Sequence, residues 1–400
     1  MSCSAACKIS RITAGLAAAF LVWALPSKAV TDILIGGAFL WALPRWRRAA
    51  ALWSSPPGLA ALLIPLSAAL LLPFAVFPAA AGWELLSDWR LAAGAFALSV
   101  WVADGRRAER VLFASAGVLT LLFAGDLIRL STALGPALLV QGRYYKPYVL
   151  NHPNVASLLA GATVLVGLYG AWTRRRRRIQ ATGFAAGAGI ALAYLVALAS
   201  RGPQAAFAGA AAAVLLLAPR SWRGRLIGLG LAVMVALPIG ANLSRINARF
   251  LEKKDFLSGR DAVWSHTVRL IGDRPWLGYG YGKTTFQTVY RASDPPPSPF
   301  VFPHPHQYTL FVLFQGGRVW LILHGTLWLL LAARLMMAMK REQDEAARLR
   351  VALVSLLLLM WHLYGLVDCP DNRLQLGLVG LVPLALAVSQ PRPAVKSSAP

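Results

Sequence analysis

"NVASLLAGATVLVGLYGAWTRRRRR" (154–178) sets an uninterrupted uncharged run against five consecutive arginines. A helix of roughly 20 apolar residues crosses the hydrocarbon core of a bilayer, and an excess of Lys and Arg marks the cytoplasmic loop at its end. The stretch therefore reads as a spanning helix followed by a cytoplasmic turn. Comparable apolar windows fall near 12–27, 30–44, 57–79, 91–104, 111–134, 154–172, 180–199, 203–218, 226–243, 306–335, 351–367 and 374–389. The 400-residue chain is 57% hydrophobic with a mean hydropathy of +0.57, too apolar for an ordinary soluble domain. Only helices and closed barrels satisfy their backbone in lipid. The barrel is excluded, because these runs are continuous and do not alternate in ten-residue segments. The expectation is an all-α polytopic membrane protein with about twelve transmembrane helices.

The net charge of +24 follows the same logic. In a soluble protein it would suggest a nucleic-acid partner. Here no nucleic-acid motif interrupts the spans, and the basic residues sit in alternate loops: "RWRR" (45–48), "GRRAER" (105–110), "RRRRR" (174–178), "PRSWRGR" (219–225) and "KREQDEAARLR" (340–350). The loops between them are short and charge-poor or mixed, as in "GWELLSDWR" (82–90), "SRGP" (200–203) and "DCPDNR" (368–373). That alternation places both termini in the cytoplasm. Near the N-terminus, Lys8 and Arg11 precede an apolar stretch, and "PSKA" (26–29) imitates a signal-peptidase site. We expect this segment to be retained as the first spanning helix. Cys3, Cys7 and Cys369 have no metal-ligand spacing, and no structural disulfide is expected.

Residues 244–305 form one long external loop with nine Lys/Arg and five Asp/Glu. Long loops are exempt from the positive-inside rule, so the surplus is compatible with a plain surface cap or with an anion site. Within it, "GRDAVWSHTVRLIG" (259–272) gathers Val263, Trp264, Val268, Leu270 and Ile271 around one helical face, which would suit a helix lying on the membrane surface. Pro275 stops that helix, and glycine-rich backbone and the extended "SDPPPSP" (293–299) follow. The chain thus divides into helices one to nine (1–243), the loop (244–305), and helices ten to twelve with a cytoplasmic tail (306–400), all one integral membrane domain.

The polar residues that need an explanation collect on the external side. "QGRYYKPYVLNHPN" (141–154) supplies Arg143, Lys146, His152 and Asn154, the large loop adds Arg260 and Arg274, and Arg201 stands at a helix end among apolar neighbours. A guanidinium there either snorkels to the headgroups or meets an anion, and its paired donors suit phosphate oxygens. The stretch "FPHPHQYTLF" (302–311) puts His304, His306 and Gln307 at the entrance of a long apolar run. Two histidines make metal ligation imaginable, but no third ligand has recognisable spacing, and "DCPD" (368–371) offers carboxylates of unknown distance. Imidazole is better suited to general-base work near neutral pH. The chain contains neither a P-loop nor a Ser-His-Asp signature, and the first external loop holds no Asp-x-Asp. No cofactor and no metal are expected.

Three stretches resemble the O-antigen ligase and polymerase superfamily of bacterial envelopes. They are "GRDAVWSHTVRLIGDRPWLGYGYG" (259–282), "HPHQYTLFVLFQGG" (304–317) and "SRGP" (200–203). The family commonly carries Asn after its histidine, where this chain has Gln307, and the family's histidine lies ten or eleven residues before a glycine. His306 meets that spacing with Gly316 and Gly317, and His304 does not. The resemblance implies a GT-C-like fold with one large periplasmic loop, in the bacterial inner membrane. It further implies a metal-independent inverting transfer at the periplasmic face, from glycan on undecaprenyl pyrophosphate to a sugar hydroxyl of lipid A–core. His306 would be the base. Arg201 and Arg274 would hold the pyrophosphate, with Arg143, Lys146 and Arg260 as further anion contacts and His304, Asn154 and Gln307 near the substrate. A polymerase, using a second undecaprenyl-linked glycan, or a protein O-glycosyltransferase would share the donor. A lipid or glycolipid transporter is the alternative from another class, with Asp32, Asp126 and Arg129 as its intramembrane charges.

Overall fold

The computed structural model describes residues 28–102, 105–135, 147, 152–198, 200–217, 230, 260–294, 302–368 and 381–390. Among them there is no strand. The helices are α1 (Lys28–Ala42), α2 (Arg47–Trp53), α3 (Pro56–Leu70), α4 (Pro78–Ser87), α5 (Trp89–Trp101), α6 (Gly105–Leu134), α7 (Pro153–Thr173), α8 (Arg178–Ala197), α9 (Arg201–Leu217), α10 (Arg260–Asp273), α11 (Lys283–Ala292), α12 (Tyr308–Arg341), α13 (Glu345–Gly365) and α14 (381–388). Five of these, α6, α7, α8, α12 and α13, are long and apolar enough to cross a membrane, and the pair α2 and α3, bent by 96°, would make a sixth.

Every expected window that falls on described residues is helical, but not every one is a full span. The windows 30–44, 91–104 and 203–218 carry helices of 15, 13 and 17 residues. The window 12–27 and the three cysteines lie outside the described residues, while 226–243, 374–389 and the signal-like segment are described only in part. One window is corrected. The run 57–79 is not a single helix: α3 ends at Leu70, a 3-10 turn covers Leu72–Phe74, and α4 restarts at Pro78. Pro73 and Pro78 cause the break, since each lacks an N–H and disfavours helical backbone in the residue before it.

The membrane core is built around α7. Pro153 opens this helix, where its missing N–H does no harm, and fourteen of its residues are buried, against α6, α8, α9 and α13. Lipid offers no hydrophobic drive between helices, so close packing of small residues does that work. A Cβ on Gly167 would sit 2.9 Å from the Ala188 methyl, and one on Gly170 would sit 2.5 Å from the Phe184 ring, so α7 and α8 approach closely because those positions are glycine. Asp126 on α6 is buried in this core, accepting from Arg129 Nε at 2.9 Å and from the Tyr194 hydroxyl at 2.5 Å. Asp126 and Arg129 thus pair three residues apart on one helix and are tied to a third residue.

The described part of the large loop folds into a cap. The α10 helix matches the expected amphipathic segment, but its apolar face does not lie open for a membrane surface. Val263 and Leu270 are buried with Tyr279, Phe286, Phe311 and Phe314 in a small second core seated on the start of α12, while Val268 is 55% exposed. The α11 helix fills the stretch between the glycine-rich backbone and the proline segment, to which the sequence reading assigns no element. Its N-terminus has no local side-chain cap. Instead the Lys283 and Thr284 N–H groups donate to the Glu84 carboxylate on α4, at 2.5 and 2.6 Å. Orphan N–H groups at a helix start need such acceptors, and here the acceptor arrives from about 200 residues away in sequence.

Candidate active site

The entrance of α12 is shaped by Gly317. Its φ of 60° and ψ of −154° interrupt the helix in a region that is essentially glycine-only. A break frees carbonyls below it and N–H groups above it, and buried backbone groups must find partners. Segment 275–280 supplies four such partners. Tyr279 N–H donates to Phe314 O (2.8 Å) and Gly280 N–H to Gln315 O (2.9 Å), while Pro275 O accepts from Arg318 N–H (2.8 Å) and Trp276 O from Val319 N–H (3.3 Å). The loop motif and the helix kink are thus one device, and the spacing from His306 to Gly316 and Gly317 is the arm that carries the histidine from this clamp.

Gln307 caps α12 by accepting the Leu310 N–H with its side-chain oxygen. That role occupies the amide oxygen that the sequence reading placed near substrate. Just before it, His306 holds a φ of 51°, uncommon outside glycine. The His306 N–H donates to His304 Nδ1 at 3.2 Å, and the two rings stand 4.3 Å apart. Burial first, then the charges of His306 and Lys283, push the His304 imidazole well below its ordinary value, so it is neutral and its Nδ1 remains an acceptor.

The His306 ring meets Asp368, three residues past the end of α13. His306 Nδ1 lies 2.7 Å from Asp368 Oδ1. The other carboxylate oxygen accepts from Asn154 Nδ2 and from the Tyr364 hydroxyl, both at 2.8 Å, and Arg260 Nη2 lies 3.7 Å away. Arg260 Nη1 donates to Val367 O at 2.5 Å, and Ser200 Oγ donates to Asn154 Oδ1. Burial alone would raise the Asp368 carboxyl, but the hydrogen bond and charge of His306, with Arg260 and Tyr364, hold it well below the usual carboxylate range. An ionised carboxylate is acceptor-only, so Nδ1 of His306 carries the proton. In the neutral ring Nε2 then carries the lone pair, and it makes no hydrogen bond among the described residues. The side chain is 23% exposed.

His304, His306 and Asp368 place donor atoms within 4.8 Å of one another, a set that could hold a metal ion. The missing third ligand of the sequence reading is thus supplied from 62 residues away. The directions fit a hydrogen-bonded chain better than a shared ion. Nδ1 of His306 points at the carboxylate itself, and Nδ1 of His304 points at a backbone N–H.

The structure brings together four of the sequence-selected residues, His304, His306, Asn154 and Arg260, while Arg201 follows Ser200, which bonds Asn154, and is exposed at the first turn of α9. Arg274 stands apart from that cluster, exposed, donating to Phe74 O at 3.4 Å with its guanidinium 5.6 Å from the Tyr279 ring centroid. Arg143 and Lys146 lie outside the described residues. Sequence reasoning did not assign Asp368 or Tyr364 to the base. A signal existed: a carboxylate directly behind a long apolar run is costly unless partnered, and "DCPD" was expected on the same side as "HPH".

Residues 186–325 match the family model described as O-antigen ligase. The match includes Arg201, Arg260, Arg274, His304 and His306, and ends before Asp368. No curated protein matches the chain.

Proposed function

We propose that this chain, whose residues 186–325 match the family model described as O-antigen ligase, is a ligase acting on lipid-linked glycans. The donor is a polysaccharide on undecaprenyl pyrophosphate, the acceptor a sugar hydroxyl of lipid A–core, and the site faces the periplasm of the inner membrane. The observation that carries the reading is the 2.7 Å contact between His306 Nδ1 and the buried Asp368, which leaves Nε2 outward as an acceptor.

In the reaction, His306 Nε2 takes the proton of the acceptor hydroxyl as that oxygen attacks the anomeric carbon. The bond from the anomeric carbon to the pyrophosphate oxygen breaks, its electron pair leaves with the pyrophosphate, and the anomeric configuration inverts. Asp368 fixes the imidazole tautomer and stabilises the imidazolium that forms, as the carboxylate of a catalytic triad does. Arg201 and Arg274 meet the charge growing on the leaving group, which is electrostatic preorganisation. Arg260 is committed to Asp368 and Val367 O, so it acts on the base's partner. The chemistry asks nothing of a metal ion.

A polymerase would use the same base and donor and differ in its acceptor. A transporter would use intramembrane charges, and the described pair Asp126 and Arg129 is instead bound up with Tyr194.

The test is transfer by the purified full chain in detergent, with a chelator present. Transfer from glycan-loaded undecaprenyl pyrophosphate to lipid A–core is the expected result. Activity only with a second undecaprenyl-linked glycan would replace ligase by polymerase, and loss of all activity on chelation would overturn the metal-free chemistry.

A further inference from the structure

The opposite end of the bundle holds a second polar construction. The helices α7 and α13 are each 21 residues long, about 31 Å at 1.5 Å per residue and close to the roughly 30 Å of a bilayer core. Asn154 and Asp368 mark their ends at the His306 cluster. Their other ends, at Thr173 and Glu345, border a cavity of about 630 Å³, within the range of roughly 300–1,000 Å³ typical of small-molecule sites.

The turn joining α7 to α8 lines this cavity with four successive arginines, 174–177, and Arg350 adds a fifth from α13. Three are held in place. Glu109 accepts from Arg350 Nε at 2.9 Å and lies 3.5 Å from Arg174, whose guanidinium stands 4.1 Å from the Phe113 ring centroid. Arg175 stands 3.7 Å from Glu345 and 5.0 Å from the Trp172 ring centroid, and Trp172 Nε1 donates to the same Glu345 at 3.3 Å. Arg176 and Arg177 are exposed and make no ion pair among the described residues. With Asp344 as the third carboxylate of the lining, five guanidiniums face three acids, a surplus of two.

A topology signal needs only charge. It does not need arginines locked by carboxylates and rings around a concave space. We propose that this cavity is a binding site for a phosphate-bearing anion, which Arg176 and Arg177 contact directly and Arg174, Arg175 and Arg350 frame. Guanidinium forks match phosphate oxygens bidentately. The ligand is either the headgroup of an anionic phospholipid in the adjoining leaflet or a soluble phosphate compound, and Trp172 and Tyr169 offer apolar wall to whatever carries the phosphate.

The experiment is calorimetric titration of the detergent-solubilised full chain with phosphatidylglycerol in mixed micelles, with phosphatidylcholine as the zwitterionic control, and separately with inorganic pyrophosphate. The wild type is compared with R176Q/R177Q and with R47Q/R48Q, exposed arginines outside the cavity lining. Each basic residue near an anionic surface contributes about a fivefold factor, so R176Q/R177Q should weaken binding about thirtyfold. Weakening in the phosphatidylglycerol arm identifies a lipid headgroup, and weakening in the pyrophosphate arm identifies a soluble ligand. The proposal is overturned if neither arm changes in R176Q/R177Q, or if R47Q/R48Q weakens binding as much. All three proteins should share one melting temperature, because the Arg176 and Arg177 side chains make no hydrogen bond or ion pair among the described residues.

Discussion

Two buried aspartates show what separates a structural ion pair from a site. Asp126 and Asp368 are each 5% exposed, and each accepts from a tyrosine and has an arginine within 4 Å. Around Asp126 the partners are Arg129 from α6 and Tyr194 from α8, and neither is a group that exchanges a proton near neutral pH. Around Asp368 the partners come from the ends of α7, α10 and α13 and from the entrance to α12, and one of them is a histidine whose second nitrogen faces outward. The desolvated carboxylate is common to both. Only the second passes its influence to a group that can still exchange a proton.

Substitutions can sharpen or break that contrast. The largest effect belongs to His306→Ala. Loss of a general base costs about 10²–10⁴-fold in rate, so transfer should all but vanish while donor binding, measured separately, persists. Asp368→Asn should lower the rate by about 10²-fold or more through the wrong imidazole tautomer. Asp126→Asn should leave the rate near wild type and lower stability by about 1–3 kcal/mol, the cost of an impaired buried hydrogen bond. If Asp126→Asn also removed transfer without unfolding the chain, the contrast would fail.

Gly317→Ala is next. Its backbone conformation is strained for any L side chain by about 1–3 kcal/mol, and a Cβ there would run into the Trp276 backbone. Thermal melting should fall, and hydrogen exchange at Tyr279 and Gly280 should rise, since their N–H groups bond across the kink.

Acidification should have the smallest effect. Burial, then Arg269, lowers His266 below its ordinary value, with Asp294 opposing. His304 is lowered further, by burial, His306 and Lys283, with Asp368 opposing. A histidine depressed in the folded state takes protons less readily than in the unfolded chain, so its contribution is present above about pH 6.5 and is lost as pH falls from there through the folded value. Protection of residues 260–294 in hydrogen exchange should therefore decline between pH 7 and pH 5. A rise in protection would refute the assignment of both rings as neutral.

The sequence showed the helical membrane architecture because each span needs only its own residues to be apolar. The family resemblance singled out His306 through a glycine spacing, and the Gly317 clamp gives that spacing a physical cause. What the sequence missed depends on distant partners. Asp368 joins the base from 62 residues away, and Glu84 caps α11 from about 200. Periodicity cannot report contacts of that kind. The break at 71–77 was missed for a different reason: hydropathy averages across Pro73 and Pro78, while backbone geometry does not.

The central claim is that His306 and Asp368 act as one unit, and a double-mutant cycle tests it most directly. Single-turnover transfer rates would be measured for wild type, His306→Ala, Asp368→Asn and the double variant at saturating donor. Groups that act together lose rate non-additively, so the double variant should be no slower than His306→Ala alone. If instead the two losses multiply, Asp368 works independently of His306, and the account of the base is contradicted.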